Sequence, residues 1–472
     1  MLFNSLTFVI FFAITLCLYS LPFAWTLKKL FLLMASYIFY AAWNPPFVIL
    51  LIIAAVIDFN LARVIGHMGK TRWRLILMWA SITLNLGLLG YFKYGGFILD
   101  NFIMLMSRMG IYYRPPAFSI ILPLGISFYT FETISYLVDV YRGKIKPWHS
   151  FIDYALFLTF FPHLVAGPIV RAGDFLPQCL SPRRATPAQL GWGLSMMVVG
   201  LFSKVVLADA LMAPVADRVY SAVSSAGFAD AWAGTLAFSA QIFFDFAGYS
   251  TCGIGAALCF GFVLKKNFHF PYAAVGFSDF WRRWHISLSS WLRDYLYISL
   301  GGSREGENKT RRNLMLTMLL GGLWHGAAWK FVAWGGIHGM YLMVERFFKS
   351  LWPGSTWILR RPIQVLLALL TYMLVCLTWT LFRAASVGDA LHLVRCMLAP
   401  YSGAAVVSRL DMGIVLALTV CMLASHWMLR ETSLEFQTKR LPWWTRSVVL
   451  AGMLIALLMA PGDNRAFIYF QF

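Results

Sequence analysis

Three histidines carry most of the chemical interest in this 472-residue sequence. His285 lies in DFWRRWHISLSSWLRDYLY, His325 in GGLWHGAAW and His338 in WGGIHGMYL. None stands in an HxxxH or HExxH spacing, so zinc has no ligand pair to start from. On one continuous helix His325 and His338 would be separated by roughly 220° of rotation and about 20 Å of rise. They could then neither share a metal ion nor hydrogen-bond each other. If residues 280–297 are helical, Trp281, Trp284, Leu288, Trp291 and Tyr295 share one face, with Arg282, Ser289 and Arg293 on the next. That pattern predicts an amphipathic helix in the membrane interface, with His285 bordering its aromatic stripe.

His338 has the more specific setting. The stretch Ala327–Val344 carries a single formal charge, Lys330. In a helix the imidazole leans over position 335, which is glycine, with Gly336 and Gly339 as neighbours. Such glycines either let two helices pack closely or leave a thin substrate room to reach the ring, and the residues alone allow both. An ionisable side chain at membrane depth is functional by default. Apolar surroundings favour the neutral imidazole, a competent general base. It could take the proton from a hydroxyl that attacks a thioester. No GxSxG, no Gly-rich loop followed by Lys-Ser/Thr and no dinucleotide fingerprint offers a competing chemistry.

The elements that position these groups belong to a membrane. The chain is 60% hydrophobic and 12% charged, with a mean hydropathy of +0.69. Ordinary soluble chains are about 45–50% apolar. Apolar runs long enough to cross a bilayer recur, and about 11–13 membrane helices are expected in one polytopic unit over residues 1–472. The net charge of +19 falls in short loops, the pattern of cytoplasmic loops rather than of a nucleic-acid binder. By that rule the N-terminus lies outside and Lys28–Lys29 inside, and the N-terminus does not read as a cleavable signal. Glu132, Asp139 and Asp245 stand inside apolar runs, as polar links or cavity walls. From Asn267 to Asn313 the chain is too polar to span.

The sequence resembles the membrane-bound O-acyltransferase (MBOAT) family, and within it the bacterial branch that serves alginate O-acetylation. The resemblance rests on LPLGISFYTFETISYLVDVYR (123–142), FFPHLVAGPIVR (160–171), FFDFAGYS (243–250), FSDFWRRWHISLSSWLRDYLYISLGGSR (277–304), GGLWHGAAWKFVAWGGIHG (321–339) and the terminal FIYFQF. Two positions depart from it: Thr251 replaces a frequent aspartate, and Ser299 a frequent proline.

The resemblance implies an all-α polytopic bowl of transmembrane and re-entrant helices around a central tunnel, with a motif core at about 117–345. It implies catalysis by His338 at the narrow part, with His325 and His285 as accompanying family histidines. Arg282, Arg283, Trp284, Arg293 and Asp245 become candidates for substrate binding. No metal and no bound cofactor are expected. Acetyl-CoA would be the cytoplasmic acyl donor to an inner-membrane enzyme. A periplasmic or membrane-anchored acetyltransferase partner would pass the acetyl group to an extracellular or cell-wall polysaccharide. The alternatives are a transporter or flippase for a lipid-linked sugar, and a non-catalytic scaffold of a polysaccharide-modifying complex.

Overall fold

The computed structural model describes all residues except 114, 116–119, 166, 353–359, 400–402, 404, 461–464, 466 and 469–472. Pro116, the first residues of the Ala117–Val140 run, Ala166 and most of FIYFQF therefore lie outside the described residues. Every described regular element is helical. Six described helices are long and apolar enough to cross a membrane: Pro46–His67, Arg72–Arg108, Pro187–Ser221, Phe228–Cys259, Arg361–Arg383 and Arg409–Leu429. This is a multi-pass membrane protein.

The chain divides into two compact units. The first comprises Met1–Leu194, Gly253–Lys265 and Gly326–Ala328. Its main helices are α1 (Leu6–Ser20), α2 (Trp25–Ala41), α3 (Pro46–His67), α4 (Arg72–Arg108), α5 (Ile126–Tyr141) and α6 (Phe151–Thr159). Its buried polar groups act as paired links, since an unpaired charge in such a bundle would be costly. Lys29 of α2 meets Asp153 of α6 at 2.5 Å. Asp58 of α3 accepts from Ser81 at 2.9 Å and Asn85 at 3.0 Å, both on α4. Glu132 accepts from the Val170 N–H at 2.8 Å and faces His163 Nδ1 at 3.4 Å.

The second unit comprises Ser195–Cys252, Lys266–His325 and Trp329–Phe472. It draws on α7 (Pro187–Ser221), α8 (Phe228–Cys259), the short α9 (Phe277–Arg283) and α10 (Ile286–Trp291), α11 (Glu307–His325), α12 (Trp329–Leu351) and α13 (Arg361–Arg383). It ends with α14 (Val387–Leu398), α15 (Arg409–Leu429), α16 (Leu434–Arg440) and α17 (Trp443–Met459). Small residues set its closest approaches. A Cβ on Gly200 of α7 would press on the Gly248 carbonyl of α8, and one on Gly248 would press on the Gly200 carbonyl.

The single helix expected over 280–297 does not form. Trp284 is extended and His285 adopts φ 41°, ψ 56°, in the left-handed region. The apolar stripe sought by periodicity is thus split between two helices, and its aromatic rings turn inward: Trp284 is fully buried. Thr251, one of the departures, bonds back to the Ala247 carbonyl at 2.6 Å within α8.

Candidate active site

The hairpin of α11 and α12 positions two of the three histidines. His325 closes α11, and α12 begins at Trp329, so the two rings lie on different, antiparallel helices. The separation of about 20 Å expected for one helix does not apply. Both rings stand edge-on to Trp334, His325 with its centroid at 5.0 Å and His338 at 4.7 Å.

The glycines beside His338 serve this hairpin. A Cβ on Gly335 would strike the Met318 carbonyl, and one on Gly322 would strike that of Phe331. Gly339 lies against Met315 and Met318. The bare backbone is covered by α11, so the glycines do not open a path to the imidazole. Of the two uses that the sequence allowed, helix packing is the one adopted.

His338 is fully buried. Its Nε2 lies 3.0 Å from Thr378 Oγ1 on α13. The Thr378 hydroxyl already donates to the Val375 carbonyl at 2.7 Å, so Oγ1 accepts from the ring. That arrangement places the proton on Nε2 and leaves the lone pair on Nδ1. His338 Nδ1 is buried and has no hydrogen-bond partner among the described residues. Rings surround it: Phe280 lies parallel at 6.1 Å, Trp281 at 5.2 Å and Tyr341 at 5.8 Å.

His285 is held in the opposite tautomer. Asn267 Oδ1 accepts from the Ser287 N–H at 3.3 Å, which marks it as the acceptor towards His285 Nδ1 at 3.1 Å. The Ile286 N–H bonds to the Asn267 carbonyl at 2.8 Å. Asn267 thus fixes the unusual backbone of His285, a strain of the kind that clusters at functional sites. The His285 ring packs on Phe246 at 4.6 Å and on Trp324 at 5.9 Å, and Trp324 packs on His325 at 5.1 Å. Aromatic contacts therefore connect all three histidines.

A cavity of about 530 Å³ opens beside this core. Leu288, Leu292, Leu314, Met318 and Leu342 give it apolar walls, and His325, Trp281 and Trp334 line it more deeply. Its outer lining carries Arg282, Arg293, Arg346 and Lys349 against one carboxylate, Glu345. Lys349 pairs with Glu345, and Arg346 with Glu307 at 2.8 Å. Arg346 holds the Glu307 carboxyl below its ordinary value through that hydrogen bond. His338 does not line the cavity; Trp281 and Trp334, which do, touch its ring.

The proposed substrate residues separate accordingly. Arg282 and Arg293 reach the cavity. Arg283 instead pairs with Asp279 at 2.9 Å and donates to the Arg430 carbonyl at 3.0 Å. Trp284 stacks on Phe280 at 5.6 Å. Asp245 ion-pairs with Lys204 and accepts from the Ile468 N–H at 3.0 Å. The sequence reading missed Thr378 and Asn267, which have no motif of their own and matter only through the histidines they touch.

Residues 145–381 match the model of the membrane-bound O-acyltransferase family. The chain is 43% identical over 373 residues to the probable alginate O-acetylase AlgI of Pseudomonas aeruginosa, covering 78% of this chain and 69% of that protein. It is 33% identical over 490 aligned positions to the peptidoglycan O-acetyltransferase of Helicobacter pylori, covering 94% and 91%. A teichoic acid D-alanyltransferase of Bacillus subtilis is 25% identical over 364 residues, covering 73% and 90%.

Proposed function

The chain belongs to the membrane-bound O-acyltransferase family, and from that premise we propose that it moves an acetyl group from acetyl-CoA to a hydroxyl acceptor, for O-acetylation of an extracellular or cell-wall polysaccharide. The observation that carries this reading is His338, buried, with its Nε2 proton committed to Thr378 and its Nδ1 without a partner among the described residues. The Nδ1 lone pair accepts the hydroxyl proton as the oxygen attacks the thioester carbonyl. The C–S bond then breaks, and the departing thiolate takes the proton and leaves as the thiol. The four cations at the cavity's outer lining suit the donor's phosphates, and its apolar walls suit a thin thioester arm.

His325 lines the cavity and would contact the donor. Trp281 and Trp334 stand between the cavity and His338, and each indole N–H is buried without a partner among the described residues. In this reading they part for the substrate and donate to the thioester carbonyl as charge develops on it. His285, locked by Asn267, positions the aromatic wall at Trp324. Donor binding would be cytoplasmic, the membrane the bacterial inner membrane, and a membrane-anchored or periplasmic acetyltransferase partner would receive the acetyl group.

The test uses purified protein in lipid with acetyl-labelled acetyl-CoA, the intact partner system and a polysaccharide acceptor. Wild type should release CoA thiol and place label on polymer hydroxyls. His338→Ala, equally folded, should do neither. If His338→Ala supports acetylation in the complete system, the histidine is packing and the scaffold reading replaces this one. Acetylation that proceeds with no consumption of the thioester would point instead to transport.

A further inference from the structure

A second cavity, of about 160 Å³, is lined by Lys204, Asp209, Asp217, Gln241, Asp245, Arg383 and Arg465, with Ile468. Its side chains fall into two layers. Asp217 holds Arg383 and Arg465, each at 2.6 Å, and all three are partly exposed. Deeper in, Lys204 is clasped by Asp209, at 2.8 Å, and by Asp245. The Lys204–Asp209 pair depends on the local backbone: residues 203–212 form a π-helix, whose i→i+5 bonding brings residues five apart onto one side.

This cavity lies away from the first. Along the antiparallel α12–α13 pair, Tyr341 bonds to the Leu374 carbonyl, His338 meets Thr378, and Lys330 bonds to the Phe382 and Ala384 carbonyls. Glu345, Arg346 and Lys349 of the first cavity stand at the far end of α12, whereas Arg383 stands at the end shared with Lys330. The deep wall of the first cavity, His325 and Trp334, packs on Phe382, the residue before Arg383, so only its outer lining stands at the other end.

Three features define what the second cavity can take. Its formal charges balance, with Lys204, Arg383 and Arg465 against Asp209, Asp217 and Asp245, so a net ion would disturb an already neutral set. Two of its lining groups are unpartnered among the described residues: Gln241 Oε1 and Asp209 Oδ2. Both residues are more than nine-tenths buried, at 7% and 6% exposure. Both atoms are acceptors, so the missing partners are donors. The volume holds roughly five waters at about 30 Å³ each, the size of a sugar-like fragment rather than a polymer.

We propose that this cavity is a binding site for a neutral polyol, such as one edge of a saccharide ring. One hydroxyl donates to Gln241 Oε1 and a neighbouring one to Asp209 Oδ2, while the rim guanidinium groups donate to the hydroxyl oxygens. A diol meets both acceptors with one molecule, as a lone alcohol with its single O–H does not, and without adding charge to a balanced set. The binding itself does not rest on the acyl-transfer reading.

Saturation-transfer NMR on the full chain in nanodiscs tests it, with methyl glucoside as the neutral probe, glucuronate as the anion and N-methylglucamine as the cation. Methyl glucoside should receive saturation and bind best. Gln241→Met, which keeps length and volume, should weaken it about three- to tenfold, the worth of one net hydrogen bond. Asp209→Asn is the second variant, with the same expectation should Gln241→Met fail to fold. Equal transfer in wild type and folded variants, or none in wild type, overturns the proposal and leaves the cavity holding ordered water only. Tighter binding of either charged probe overturns the neutral assignment. No acyl donor is present, so failure here leaves the acetyl-transfer reading intact, and loss of that reading leaves this binding standing.

Discussion

Thr378→Val is the most discriminating single change at the proposed centre. It keeps the shape of the side chain and removes the oxygen that accepts from His338 Nε2 at 3.0 Å. The Nε2–H would then be buried without an acceptor, at a cost of about 1–3 kcal/mol. Nothing then holds the proton on Nε2, so part of the population carries it on Nδ1 and lacks the lone pair on which the proposed step depends. The expected loss in kcat is therefore roughly fivefold to 150-fold, with the KM for the thioester nearly unchanged, because Thr378 is not part of the cavity. Thr378→Ser keeps the acceptor oxygen and should recover most of the rate. The assay is single-turnover release of CoA thiol in lipid, run beside ¹⁵N NMR of histidine-labelled protein. In wild type the His338 Nδ1 resonance should be pyridine-like, and in Thr378→Val it should move towards the protonated form. A Thr378→Val protein with wild-type rate, or a Thr378→Ser protein as slow as Thr378→Val, would refute the tautomer argument outright.

Other outcomes follow from the same geometry. Trp334→Phe keeps the ring between His325 and His338 but loses the indole N–H; kcat should fall by about a hundredfold if that donor serves the developing oxyanion, and stay level if the ring only packs, as read by the same thiol release. Gly335→Ala should destabilise the α11–α12 hairpin by about 1–3 kcal/mol, since its Cβ would meet the Met318 carbonyl, a backbone atom. Gly336→Ala meets only the tip of Leu319 at 3.4 Å and should be tolerated, so thermal denaturation of the two should separate clearly. Glu307, held low by Arg346, contributes its ion pair above the ordinary carboxylate range and loses it only as pH falls through the lowered value. The KM for the thioester should thus be flat around neutrality and change on the acid side, and Glu307→Gln should abolish that acid-side change.

What the sequence made legible was set by the range of the interactions involved. The membrane class follows from composition alone, because a bilayer imposes a one-dimensional rule on length and apolarity. The MBOAT motifs marked the three histidines, and the structure brings these into one aromatic cluster. Periodicity failed at 280–297 because it assumes a continuous helix, and the break at Trp284–His285 is held by Asn267, eighteen residues upstream of the ring it bonds. The lysine inside α7 escaped notice for a related reason. Read at the spacing of an α-helix, Lys204 and Asp209 do not face each other; only the π turn unites them.

The glycines show the same limit from the other side. Their spacing around His338 correctly marks a close approach, but a sequence cannot say whether backbone or substrate fills the space. Here Met318 and Gly322 fill it. With α11 closed over one face of α12 and Thr378 bonded at Nε2, the rings of Phe280, Trp281, Trp334 and Tyr341 stand around the rest of the imidazole. Two of these rings, Trp281 and Trp334, also line the cavity proposed for the donor. In the proposed reaction such shielding would keep water from a hydrolysable thioester between turnovers.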